Sequence, residues 1–144
     1  NSSKIRLLIN YLLILLLDLL VEEEVELNEQ LTDSSRSVRL FLSELDNNIS
    51  EAWTIEDMAK SAGVGLTRFT HHCKQLTNLT PMRYLMMKRI ELSKEILMNK
   101  EFLTVSEVAF ACGFSTSQYF STVFKKQEKC TPIEFRLKKL ESVF

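Results

Sequence analysis

The sequence predicts an all-α protein: two helix-turn-helix subdomains joined by a long linking helix and preceded by a Leu-rich helix. Three observations carry this. Only three Gly and two Pro occur among 144 residues, while 45% are hydrophobic and strong helix formers dominate. Apolar side chains recur at helical spacing through most of the chain. A segment that begins at Thr54 recurs, with one inserted residue, from Thr104.

The first element is the run IRLLINYLLILLLDLLV at 5–21. A helix that is apolar on every side needs cover on every side. The run falls short of the ~20 residues of a membrane span and carries Arg6, Asn10 and Asp18, so no membrane span is expected. Cover is expected from a second copy of the same helix, which makes a homodimer; the alternative is a core helix of a further domain. The chain starts at Asn1 rather than Met and is expected to be part of a longer protein. Residues 22–33, EEEVELNEQLTD, read as a solvated helix end plus an acidic linker. Residues 1–33 therefore form one part and 34–144 the other. Ser34 or Ser35 is expected to cap the next helix, with Val38, Phe41, Leu42, Leu45 and Ile49 as its apolar stripe and Asn47-Asn48 near its end. Residues 50–53 connect onward.

The repeat organises the remainder. Thr54, Ala59 and Gly63 return fifty residues later as Thr104, Ala109 and Gly113. Phe69, Lys74, Thr80 and Pro81 return one residue later still, as Phe120, Lys125, Thr131 and Pro132. Each copy opens with a capping signal, Thr54 before Asp57 and Thr104 before Glu107. Ile55, Met58, Ala59 and Ala62 then follow helical spacing, as do Val105, Val108, Ala109 and Cys112. The small Ala59 and Ala109 permit a close helix crossing. Gly63 and Gly113 suit the left-handed turn that ends a short helix, and Val64 and Phe114 plug that turn. A second helix follows, buried through Leu66, Phe69, Cys73 and Leu76 in one copy and Phe120, Val123 and Phe124 in the other. Short helix, Gly turn and second helix make a helix-turn-helix unit, at about 54–80 and again at about 104–130. Thr80-Pro81 and Thr131-Pro132 read as N-cap followed by Pro at the first helical position. The linking helix runs over about 81–98, with Leu85, Met86, Ile90, Ile96 and Leu97 apolar, and spans roughly 27 Å at ~1.5 Å per residue.

The net charge of −1 hides an asymmetry. Residues 1–52 hold ten acidic and four basic side chains, residues 53–144 nine acidic and fourteen basic. Such a split points to a polyanion partner for the second half alone. Cys73, Cys112 and Cys130 have no paired spacing, which argues for a reducing cytosol and against a disulfide framework.

These residues resemble the AraC/XylS family of bacterial transcription regulators. The resemblance spans about 36–138 and rests most on EVAFACGFSTSQYFSTVFKK followed by TPIEFR. In the first unit it rests on IEDMAKSAGVGLTRFTHHCK, then LTPMRYL, then Arg89-Ile90. It implies a seven-helix DNA-binding domain that grips double-stranded DNA and, in most members, activates by touching RNA polymerase. It also implies a separate regulatory or dimerisation domain, whose last helix the run at 5–21 would fit, and a cytoplasmic, nucleoid-associated protein. Three positions depart from the family's usual residues. Lys129 stands where Gly is common, Glu128 where an aromatic is common, and His71 where Arg is common.

Helical geometry turns Thr67, Thr70, His71 and Lys74 outward on one second helix, and Ser117, Gln118, Ser121 and Thr122 on the other, with Tyr119 intermediate. By resemblance, Thr67, Thr70, His71, Ser117, Gln118, Tyr119, Ser121 and Thr122 match base-contacting positions. Gln118 is the foremost candidate, since its amide can donate and accept at adenine. Arg68, Lys74, Lys125 and Lys126 are candidate phosphate contacts, and the amides at Ile55 and Val105 candidate anion sites. Arg89 is expected to serve structure rather than DNA.

Catalysis is not expected. His71, His72 and Cys73 are consecutive, and neighbours on a helix point about 100° apart, so they cannot converge. No zinc-ligand spacing or phosphate loop occurs, so neither metal nor cofactor is expected. The competing reading is a helical protein-interaction module that has lost DNA binding, which the weak net charge leaves open.

Overall fold

The structure, a computed structural model, describes residues 2–142; the side chains at 2–4, 7, 22–31 and 140 lie outside that description. Seven α-helices follow one another: α1 (Ser2–Leu45), α2 (Ile55–Ala62), α3 (Leu66–Thr77), α4 (Pro81–Asn99), α5 (Val105–Ala111), α6 (Ser117–Glu128) and α7 (Pro132–Glu141). A single 3₁₀ turn, Asp46–Asn48, follows α1.

The expected break at 22–33 does not occur. The backbone of α1 continues as one helix through the acidic segment, and neither Ser34 nor Ser35 starts a new one. No Gly or Pro interrupts 2–45, and Glu and Leu are strong helix formers, so a lone serine pair has no competing turn to stabilise. Among the described side chains of α1 the buried ones are Val38, Phe41, Leu42 and Leu45, near the helix end. Every described side chain from Ile5 to Val21 is exposed.

Two cores result. Val38, Phe41, Leu42, Leu45 and Ile49 pack on Met58, Ala59, Ala62, Phe69, Cys73 and Leu85. Phe41 meets the rings of Trp53 and Phe69 edge-on at 5.6 and 5.7 Å. The second core joins Ile90 and Leu97 to Val108, Ala109, Cys112, Phe114, Phe120, Phe124 and Cys130. Helix α4 supplies both: Leu85 enters the first, Ile90 and Leu97 the second, and Met86 and Leu92 border both.

The duplication extends to the caps. Thr54 and Asp57 form a full capping box on α2, and Thr104 and Glu107 on α5. Gly63 and Gly113 take the left-handed conformation, with φ of 72° and 87°. The inserted residue lies in the second turn, where Thr116 caps α6 by accepting from the Tyr119 amide. Its counterpart Gly65 offers α3 no side-chain cap. Thr131 caps α7 and exchanges hydrogen bonds with Glu134. Thr80 occupies the equivalent place but its hydroxyl makes no capping bond, so there the expected cap reduces to backbone conformation and Pro81. The third residue of α4 is Arg83, which has no carboxylate to reach back.

The turns that close α3 and α6 match closely. Asn78 and Lys129 both adopt positive φ, 59° and 64°. Lys129 thus takes up a left-handed conformation without being Gly. Glu128, beside it, reaches back to Lys94 on α4 at 3.1 Å.

A clasp joins the two halves. Arg89 on α4 is buried, and its Nε donates to the Ile49 carbonyl at 3.0 Å while Nη2 donates to the Glu51 carbonyl at 2.6 Å. The same guanidinium lies over the Phe114 ring at 5.9 Å. The segment it caps presses on the second turn, where a Cβ added at Gly113 would stand 2.6 Å from the Ser50 oxygen. The structural role expected for Arg89 is realised through carbonyls rather than an ion pair.

Candidate nucleic-acid interface

Helices α3 and α6 each turn one face into a core and leave the other outward. On α3, Phe69 and Cys73 are fully buried. Thr67, Arg68, His71 and Lys74 are exposed and Thr70 half-buried. On α6, Phe120 and Phe124 are fully buried. Gln118, Tyr119, Thr122, Lys125 and Lys126 are exposed, whereas Ser117 and Ser121 are half-buried. The inward faces differ from expectation at two places on α3. Leu66 is 44% exposed, and His72 takes its share of the interior.

The outward hydroxyls are not equivalent. Thr70 Oγ1 donates to the Leu66 carbonyl and Thr122 Oγ1 to the Gln118 carbonyl, each at 3.0 Å. With their protons committed, these oxygens present lone pairs and a methyl group outward. Such groups suit an exocyclic amino group or a thymine methyl. The Gln118 amide keeps both donor and acceptor. Tyr119 is propped edge-on against Phe114, with ring centroids 6.1 Å apart.

Cations mark the ends of both faces: Arg68 and Lys74 on α3, Lys125 and Lys126 on α6. Cations in the last turn also complement the negative end of the helix dipole. The amides that start α2 and α5 are less suited to an external anion. The Asp57 and Glu107 carboxylates already stand there, accepting from Thr54 and Thr104. Two donated bonds, from the Thr104 amide and its hydroxyl, hold the Glu107 carboxyl below its ordinary range.

The His71, His72, Cys73 cluster is split by the helix, as its spacing requires. His71 is exposed, while His72 is 4% and Cys73 0% exposed. Burial pushes the Cys73 thiol up, and the Cys112 thiol to about 12, so both stay protonated at neutral pH. Burial holds His72 below its ordinary value, and the nearby His71 acts in the same direction. Neither His72 ring nitrogen completes a hydrogen bond, although the Gln75 amide lies close enough to oppose that shift. Among the described residues no group of His, Cys, Asp and Glu is arranged to hold a metal.

Two features escaped the sequence reading. Arg83 and Lys126 line one groove between α4 and α6, together with Met82, Met86, Tyr119 and Val123. Arg36 and Arg39 reach the flank of α3 from α1, beside His71. Both arginines belong to the acidic half, where an overall charge count conceals them.

A domain with two tandem bihelical units, each exposing its second helix, defines the class: a double helix-turn-helix protein. Residues 58–138 match the family model described as a helix-turn-helix domain. The HTH-type transcriptional activator RhaS of Escherichia coli (strain SE11) is 30% identical over 118 residues, which cover 82% of this chain and 42% of that protein. The chain thus spans well under half the length of this curated relative. The C-terminal domain of AraT, a response regulator from Geobacillus stearothermophilus, superposes with a TM-score of 0.67 at 28% identity, covering 71% of this chain and 84% of that one. The DNA-binding domain of AdpA, solved with a target DNA, has the same fold: TM-score 0.68 at 22% identity, covering 70% and 90%. The chain belongs to the AraC/XylS family of helix-turn-helix transcription regulators, a class of regulators rather than of enzymes.

Proposed function

We propose that this chain is the DNA-binding part of a transcription regulator that inserts α3 and α6 into neighbouring segments of major groove. The observation that carries this reading is the pattern repeated on two exposed helices. Small hydroxyl, amide and imidazole groups occupy the middle of each face, and cations flank them. In this reading Thr67, Thr70 and His71 meet bases from α3, and Ser117, Gln118, Tyr119, Ser121 and Thr122 from α6. Arg68, Lys74, Lys125 and Lys126 hold phosphates. Helix α4 has 19 residues. Its length of about 28 Å suits two recognition helices set near one DNA turn, ~34 Å, apart.

The likeness to RhaS, named an activator, favours activation and hence contact with RNA polymerase. The likeness to AdpA, solved with its target, favours double-stranded DNA as the ligand. The place of action is then the nucleoid, in the cytoplasm. Residues 1–33 form the end of a regulatory or dimerisation domain, and 34–144 the DNA-binding domain. The bare apolar surface from Ile5 to Val21 favours cover by a second copy of α1. Among the described residues no helix is long and apolar enough to cross a membrane.

Fluorescence anisotropy on duplexes selected from genomic fragments tests the reading. Gln118→Ala should cost about 1–3 kcal/mol on the selected duplex and relax preference at one base pair. Lys125→Ala should weaken all duplexes alike and lower the salt slope by about one. A wild-type chain with no salt-dependent affinity for any duplex would leave the protein-interaction module instead. Sedimentation with and without residues 1–33 tests pairing through α1.

A further inference from the structure

A cleft of about 450 Å³ lies between the end of α1 and the flank of α3. Ser35, Arg36 and Arg39 line it from α1, and His71, His72 and Gln75 from α3. Two arginines and two histidines line it together with the hydroxyl residues Thr32 and Ser35 and the amide of Gln75. Among the described residues the carboxylate that pairs with this set is Asp33, 3.7 Å from Arg36, and both partners are largely solvated. Such a pair is weak and easily exchanged. The floor is unusual. His72 is more than nine-tenths buried, yet both its ring nitrogens lack a hydrogen-bond partner. Buried polar groups are costly in that state, and those that persist call for a specific explanation.

We propose that this cleft binds one backbone phosphate of the duplex, just outside the bases that α3 reaches. Arg36 and Arg39 supply the charge, and His71 and Gln75 close the rim above the buried His72. The proposal rests on the DNA-binding reading above. Its occupant follows from continuity: His71 belongs both to the cleft and to the outward face of α3. The walls of a major groove are phosphates, so a helix seated in the groove brings its flank against one strand's backbone. Arginine suits that contact because its planar fork matches phosphate oxygens.

Duplex binding by the full chain decides the matter, using the double variant Arg36→Gln/Arg39→Gln and a set of duplexes shortened stepwise at the flank beside the first half-site. On the long duplex the variant should bind about ten-fold more weakly, with a salt slope smaller by about one and unchanged base preference. Each phosphate contact given up removes roughly one ion from the slope. Once the flanking phosphate is trimmed away, variant and wild type should bind equally. Arg39→Lys in place of Arg39→Gln should recover part of the slope. If the wild type binds duplex but the double variant keeps its full slope on every length, the cleft assignment is overturned while the DNA-binding reading stands. If the wild type binds no duplex, both fall. In a parallel arm, inorganic phosphate is titrated while the His71 and His72 ring signals are followed. Saturation at low millimolar phosphate, with no dependence on duplex length, would assign the cleft to a free phosphorylated ligand and overturn the backbone assignment.

Discussion

Gly113→Ala and Gly63→Ala form a matched pair set by the internal repeat. Both glycines sit at the same place in their units, with φ of 87° and 72°. A left-handed alanine costs about 1–2 kcal/mol in either turn. The surroundings then diverge. A Cβ at Gly63 meets nothing within 4 Å, whereas one at Gly113 stands 2.6, 2.8 and 2.9 Å from the O, Cα and C of Ser50. Those are backbone atoms, so no rotamer relieves the overlap, and the 49–51 segment is pinned by Arg89. Forced displacement of packed structure adds about 1–3 kcal/mol. Gly63→Ala should therefore lose about 1–2 kcal/mol, and Gly113→Ala about 2–5 kcal/mol, on summing the two costs. Urea unfolding measures both, with Trp53, the single tryptophan, reporting on the first core and far-ultraviolet dichroism on the whole chain. Equal losses in the two variants would show that contact with Ser50 contributes nothing, and that the clasp between halves is not tight.

Three further outcomes are expected. Arg89→Ala strips the Ile49 and Glu51 carbonyls of their donors in a buried setting and should cost about 2–4 kcal/mol in the same unfolding assay, while the folded fraction keeps its duplex affinity; lost affinity at intact stability would assign Arg89 to DNA instead. Lys129→Gly should raise stability by about 0.5–1 kcal/mol, because relief of a left-handed lysine outweighs the extra freedom of an unfolded glycine, and Asn78→Gly should gain less. Glu107 and Glu134 each accept from the amide that opens their own helix, and their folded carboxyls titrate below the ordinary value of 4.5. Their stabilisation is complete above that value and fades as pH falls through the depressed folded value, so Glu107→Gln should flatten the acid limb of stability against pH; an unaltered limb would contradict the capping role.

Local signals in the sequence were sufficient for much of the fold. The Thr-x-x-Asp and Thr-x-x-Glu caps, the two turn glycines and the apolar stripes, Leu66 excepted, are realised, because each depends on residues within one or two helical turns. The outward sets on α3 and α6 follow from the same periodicity, although Thr70, Ser117 and Ser121 proved half-buried. What was not legible depends on contacts between distant segments. Nothing near Gly113 announces that Ser50 abuts it. His72 looks like any residue at a stripe's edge until α1 covers it. The pair Ser34-Ser35 resembles a cap, but a cap matters only where a helix must start, and the backbone had no reason to stop. Arg36 and Arg39 were concealed by a boundary drawn in sequence, where charge was summed along the chain instead of over a surface.

The unbroken course of α1 makes it a torsion rod. Its 44 residues reach about 66 Å at ~1.5 Å per residue, from a stretch that needs cover to the stripe Val38, Phe41, Leu42 and Leu45 that anchors the first unit. Whatever grips the far end dictates the angle at which the first reading helix is presented. A single residue inserted along the rod would swing that grip by ~100° around the axis, and four would nearly restore it. Orientation can therefore be inherited from a distant attachment, with no joint in between to forgive an error of phase.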